Sequence, residues 1–174
     1  MKKSAVLVLA AMAVVLAGVV SCVPVSQTVT LRQPFDKAQA ERLLRPGNNT
    51  IKVNAFMRQM GGGVVTCAGQ EVILIPATKM AEERMAALYG SVNGGIRPVG
   101  LGGLKFENEA PEYENKWKTA ICSSDGRAIF SKVADGDFYI VTGVVWTVQY
   151  PQGGNLSKRI SVKGGETLEV VLSN

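Results

Sequence analysis

The chain has no histidine, only three cysteines, few aromatic residues (6%) and few charged ones (19%). Without imidazole it lacks the commonest general base, proton shuttle and catalytic zinc ligand, which excludes Ser-His-Asp triads, HExxH zinc sites and other histidine-based hydrolysis. The sparse charges form no stripe of Lys and Arg interleaved with aromatics, so nucleic-acid binding is set aside. What is present is 174 residues with 47% apolar side chains. That is enough for one packed domain and too apolar for a disordered chain.

A long apolar run does occur at the amino terminus. Met1, Lys2 and Lys3 start the chain with positive charge, and residues 5–20 are apolar apart from Gly18. This is the layout of an export signal. It ends in Val19-Val20-Ser21-Cys22, which resembles the bacterial lipobox. The resemblance implies a diacylated Cys22, a cut before it and a further acylation of the new amino terminus, and two or three acyl chains anchor where one binds only reversibly. A retained transmembrane helix is one alternative, but about 16 residues fall short of the roughly 20 that cross a hydrocarbon core. A plain secretory signal before a buried cysteine is the other. Val23 follows Cys22, so the aspartate that marks inner-membrane retention in many enteric lipoproteins is absent. The expected address is the cell envelope, at the outer membrane facing periplasm or surface. Removing residues 1–21 also removes Lys2 and Lys3, so the net charge falls from +5 to +3 and is weak support for nucleic-acid binding.

Residues 22–33 are small, polar or β-branched without a clear period, as suits a tether. Residues 34–47 are expected to hold a short helix, with Pro34 near its first turn, Phe35, Ala38, Arg42 and Leu43 along one side, and Pro46-Gly47 as its stop. From Thr50 onward the apolar period changes from near 3.6 to 2. Strands are expected at 51–57, 71–75, 117–122, 128–133, 138–150, 156–162 and 167–172. The nearly continuous run Val72-Ile73-Leu74-Ile75 implies a central strand covered on both faces. Asp125-Gly126 and Asp135-Gly136 have the chemistry of tight hairpin turns, so the strands they join are expected to pair as antiparallel neighbours. Thr78 can cap a helix over 79–89, with Ala81, Met85, Leu88 and Tyr89 as its apolar stripe and Gly90 as its stop. Residues 91–115 follow, rich in Gly and then in Glu, a stretch of the length that is usually functional or irregular.

Cys67 and Cys122 remain once Cys22 is used for lipid. Beyond the membrane an even count favours a disulfide, worth about 4 kcal/mol by chain entropy; the alternative is two separate buried thiols. Around these cysteines lie Gly61-Gly62-Gly63-Val64-Val65-Thr66-Cys67, Val72-Ile73-Leu74-Ile75-Pro76, Asp125-Gly126-Arg127-Ala128-Ile129-Phe130 and Val133-Ala134-Asp135-Gly136-Asp137-Phe138-Tyr139. Together they resemble bacterial carboxypeptidase-regulatory-like domains, over about residues 50–172. The resemblance implies a mainly β fold: a seven-stranded antiparallel transthyretin-like β-sandwich over 48–174, carrying a short helical and Gly-rich insertion at 78–115. It implies core packing for Phe130 and Tyr139 and a strand end at Pro76. Such domains are accessory modules with no common ligand, and the transthyretin-like hydrolase of a urate breakdown product depends on histidines that this chain lacks.

Sharper chemistry finds little footing. Glu107, Glu109, Glu112 and Glu114 could converge on Ca²⁺, but their spacing lacks the Asp/Asn ladder and fixed Gly of a calcium loop. A glycosidase-like carboxylate pair among them lacks a rigid frame. Gly61-Gly62-Gly63 is followed by neither Lys-Ser/Thr nor a helix, so it is expected to be a turn and not a phosphate loop. Asn48-Asn49-Thr50 matches a glycosylation sequon by letter only. Of Trp117, Tyr139, Trp146 and Tyr150, strand alternation puts Trp146 and Tyr150 on one face and Tyr139 on the other, which makes Trp146 and Tyr150 the candidate ligand face. The expectation is a lipid-anchored, non-catalytic binding or scaffolding module, with no metal and no cofactor. An envelope protein partner would dock on the insertion or add a strand to a sheet edge. A carbohydrate-binding or envelope-modifying role is the alternative.

Overall fold

The computed structural model describes residues 27–174, so Cys22, its lipobox and the expected signal lie outside the described residues. In chain order the elements are β1 (Gln27–Thr30), α1 (Lys37–Leu44), β2 (Asn49–Arg58), β3 (Val64–Thr66), β4 (Glu71–Pro76), α2 (Lys79–Tyr89), β5 (Gly94–Pro98), β6 (Leu104–Glu107), β7 (Lys118–Ile121), β8 (Arg127–Val133), β9 (Gly136–Thr147), β10 (Pro151–Val162) and β11 (Thr167–Leu172). One sheet has the order β5-β10-β9-β4-β7 and is antiparallel throughout. In the other, β2 is central: β11 runs parallel along one side, while β8 and then β3 run antiparallel along the other. β1 and β6 form a small parallel pair, with Gln27 opposite Leu104.

The pattern of side chains explains the three layers. Ile51, Val53, Ala55 and Met57 of β2 alternate inward and meet Val72, Leu74, Phe138, Ile140 and Val144 from the facing sheet in the main core. The intervening residues of β4 and β9, Ile73, Ile75, Tyr139 and Val141, point the other way into a second core with Met80, Ala81 and Met85 of α2 and with Leu31, Phe106 and Tyr113. That is why the β4 segment is apolar at nearly every position. Helix α2 begins at Thr78, whose side chain accepts from the Ala81 N–H, and ends at Gly90, whose φ of 71° is the left-handed conformation favoured by a residue without Cβ. Asp36 caps α1 in the same way through the Gln39 N–H at 2.8 Å.

Several expectations need correction. Among the described residues there are eleven strands in place of the expected seven, because β1, β3, β5 and β6 were not legible as strands. The segment expected as an insertion supplies β5, an edge strand of the larger sheet, along β10. Residues 91–115 are held against α2: Arg97 donates to the carbonyls of Leu88 and Gly102, and Arg84 pairs with Glu109 beneath the Phe106 ring. The Asp-Gly segments do turn tightly, and Gly126 N–H donates to the Ser123 carbonyl at 3.0 Å. Yet they do not make hairpins. Ile121 is already paired with Glu71 in one sheet and Arg127 with Asn54 in the other, so each turn carries the chain across the sandwich. The bond between Cys67 and Cys122 is formed, with Cα atoms 5.8 Å apart, and it ties the β3–β4 connection to the end of β7.

Candidate functional site

A polar cleft of about 350 Å³ opens at the end of the sandwich where β2 and β9 begin. Local sequence builds it. Pro76 ends β4 and Thr78 starts α2, which sets Lys79 and Glu82 on the first helical turn. A carboxylate there is favoured by the helix dipole. Gly136 lets β9 start close against Leu43 of α1, which brings Asp137 to the rim. Across the sheet, Arg159 of β10 lies opposite Tyr139.

Arg159 organises the cleft. Its Nη2 donates to Asp137 Oδ2 at 2.9 Å, and its Nη1 lies 3.0 Å from Glu82 Oε1. The other Glu82 oxygen accepts from Lys79 Nζ at 2.8 Å. Below, the Tyr139 ring centre is 6.0 Å from the guanidinium carbon, and the phenol donates to the Val92 carbonyl at 2.6 Å. The Arg159 hydrogen bond holds the Asp137 carboxyl below its ordinary value, helped by the Ser161 hydroxyl. Asp137 in turn raises the Arg159 guanidinium, and burial raises the Tyr139 phenol. Gln39 and Arg42 complete the rim from α1, and their side chains form no hydrogen bond or ion pair among the described residues.

Such an array fits recognition better than proton transfer. Asp137 is stabilised as a carboxylate, so it accepts hydrogen bonds and is a poor general acid. Lys79, Glu82, Arg159 and Asp137 alternate donor and acceptor, with Gln39 and Arg42 also on the lining, a combination that matches hydroxyl groups able to give and take a bond. A second groove, about 460 Å³, lies on the outer face of the β11-β2-β8 sheet among Lys52, Asn54, Arg127, Ile129, Glu169 and Val171. Its cross-strand ion pair, Lys52 with Glu169, is 4.0 Å long between exposed side chains, so its charges are less fixed than those of the cleft.

The residues singled out in the sequence are distributed elsewhere. Trp146 is half-buried against the main core, donates from Nε1 to Gln152 Oε1 at 3.1 Å, and lies over Gly153. Gly153 has a φ of +93°, and a Cβ there would run into the Val144 carbonyl and the indole. Strand β9 ends at Thr147, so the alternation that placed Tyr150 on the face of Trp146 does not extend to it. Tyr150 lies exposed in the turn 148–150, and no ring contact joins the two among the described residues. Trp117 and Tyr139 belong to the second core. The acidic residues of 107–114 disperse: Glu107 accepts from Thr30, Glu109 pairs with Arg84, and no group of three or more His, Cys, Asp or Glu among the described residues is placed to hold a metal. No helix among the described residues is long and apolar enough to cross a membrane. The cleft itself escaped sequence reasoning because Gln39, Glu82, Asp137 and Arg159 come from four separate elements.

No protein-family model matches the chain, and no curated protein does. Among solved structures the chain is similar to a crystal structure from Pseudomonas aeruginosa described as a "putative carbohydrate binding protein", with a TM-score of 0.67 and 19% identity. The match covers 80% of this chain and 97% of that one. At that identity the likeness is one of fold, and the architecture is therefore a mainly β one shared with a protein described as binding carbohydrate.

Proposed function

We propose that the chain is a lipid-anchored, non-catalytic binding module of the cell envelope whose cleft takes a hydroxyl-rich ligand of the saccharide class. The observation that carries the ligand reading is the Lys79–Glu82–Arg159–Asp137 chain of fixed charges beside the uncommitted side chains of Gln39 and Arg42. The similarity of fold to a protein described as carbohydrate-binding agrees with it. Anchoring rests on Val19-Val20-Ser21-Cys22. A protein partner docking on the insertion has less support, because Met80, Ala81, Met85 and Tyr113 spend its apolar surface inside the second core.

Isothermal titration of the full chain in lipid nanodiscs against neutral and acidic oligosaccharides should show binding that Arg159→Met and the exposed rim variant Arg42→Ala each weaken at least tenfold. Trp146→Phe should leave it unchanged. Absence of binding across the panel, or equal binding by both cleft variants, overturns the ligand reading. For the anchor, the intact mass of membrane-extracted protein should include acyl additions that Cys22→Ser abolishes.

A further inference from the structure

Three neighbouring connections at one end of the sandwich share an uncharged, apolar chemistry. β2 and β9 start together: Asn49 Nδ2 donates to the Val133 carbonyl and to Asp135, and Gly136 abuts Leu43 beside the cleft. Both strands then run the same way along opposite sheets, so the turns that follow them, 59–63 and 148–150, project from the far end. The loop 99–103 lies there too, since Val99 N–H donates to the carbonyl of Gly153 near the start of β10. These three loops contain no charged residue. They expose Met60 (108%), Leu101 (57%), Val148 (74%) and Tyr150 (70%). The 122–126 turn at the same end does carry charge, Asp125 paired with Arg127 at 3.2 Å, so the uncharged surface is limited to these three loops, and the cleft end carries Asp135, Lys163 and Glu166 in its turns.

The chain enters on the uncharged side. β1 runs parallel to β6 with Gln27 opposite Leu104, so the described chain begins beside the 99–103 loop. Cys22 is five residues earlier, and five residues reach at most about 18 Å. From these two facts we infer that the loop end bearing Leu101, Val148 and Tyr150 rests on the lipid surface to which Cys22 is tied, with Tyr150 at headgroup depth. An acyl anchor this close holds uncharged loops against the bilayer, where Leu and Val meet the acyl boundary and a tyrosine gains an apolar body and a wet hydroxyl. Arg58 and Lys105, flanking the loops, favour an anionic leaflet.

This inference rests on the lipid-anchor reading, and one experiment separates the two. Full-length protein carrying Tyr150→Trp, or Val148→Trp as a second exposed position, is reconstituted in phosphatidylethanolamine and phosphatidylglycerol vesicles with dibrominated acyl chains; Lys163→Trp marks the cleft end. After subtraction of the wild-type signal from Trp117 and Trp146, bromolipid should quench the tryptophan at 150 or 148 at least twofold more than that at 163. Protein that sediments with vesicles but shows equal or no quenching at all three positions overturns the orientation and leaves the anchor standing. Protein that does not sediment overturns the anchor and the orientation with it.

Discussion

Asn49 shows how much a single buried amide can organise. Its Nδ2 donates to the Val133 carbonyl at 3.0 Å and to Asp135 Oδ1 at 2.8 Å, while its Oδ1 accepts from the N–H groups of Gly165 and Glu166 at 2.9 and 3.0 Å. Every donor and acceptor of the fully buried side chain is used, and it joins the turn before β9 to the turn before β11. Replacing it by Ala strips the Val133 carbonyl and the Gly165 N–H of its bonds in a part-buried place and leaves Asp135 with only the Gly164 N–H and Glu166 N–H with only a long bond to the Lys163 carbonyl. Asn49→Ala is expected to lower the unfolding free energy by about 2–4 kcal/mol, read as a shift in urea midpoint at unchanged m-value. In the sequence this residue stood out only as part of a sequon. Its bonding demand is met by chain far away, so no local pattern announces it.

Among the elements, β1 pairs with β6, and the chain that follows it is fastened to α2 by one carboxylate. Glu83 of α2 accepts from the backbone N–H of Arg32 at 2.9 Å and of Gln33 at 2.9 Å, pinning the chain just after β1 to the helix. Glu83→Ala should raise amide exchange across residues 28–33 roughly tenfold or more, the loss of about 1.5–3 kcal/mol of charged hydrogen bonding, while β9 and β10 keep their protection. Uniform acceleration through the sandwich would refute this local role. Legibility follows the same division. The helix at 79–89 was readable to the residue, because Thr78 and Gly90 signal within their own neighbourhood. The two cysteines and the alternating β2, β8 and β11 were equally local in their cues. β1, β5 and β6 were not, because their short or Gly-rich segments become strands only through partners distant in sequence. The hairpins expected at Asp-Gly failed for a related reason: a turn's chemistry fixes its own bend, whereas the sheet that receives the next strand is chosen by burial. Cleft residues Glu82, Asp137 and Arg159 were invisible as a set for the same cause.

For the molecule as a whole, the Cys67–Cys122 bond is a staple between layers, since Cys67 follows β3 of one sheet and Cys122 follows β7 of the other. With 55 positions between its ends, it should contribute about 4 kcal/mol by limiting the unfolded chain. The Cys67→Ala/Cys122→Ala pair, or reduction of the native protein, should lower stability by about 3–4 kcal/mol without changing the fold, checked by denaturation with and without reductant. A loss under about 1 kcal/mol would mean that the sheets are held by packing alone. The length of β9 has its own consequence. Twelve residues run from the cleft rim to the uncharged loops, paired with β10 throughout and with β4 over the first half, and they span about 40 Å. In the proposed orientation that strand is a stand-off rod. It would hold the mouth of the proposed saccharide cleft clear of the headgroup layer, out of reach of the polar groups of the lipids beneath it.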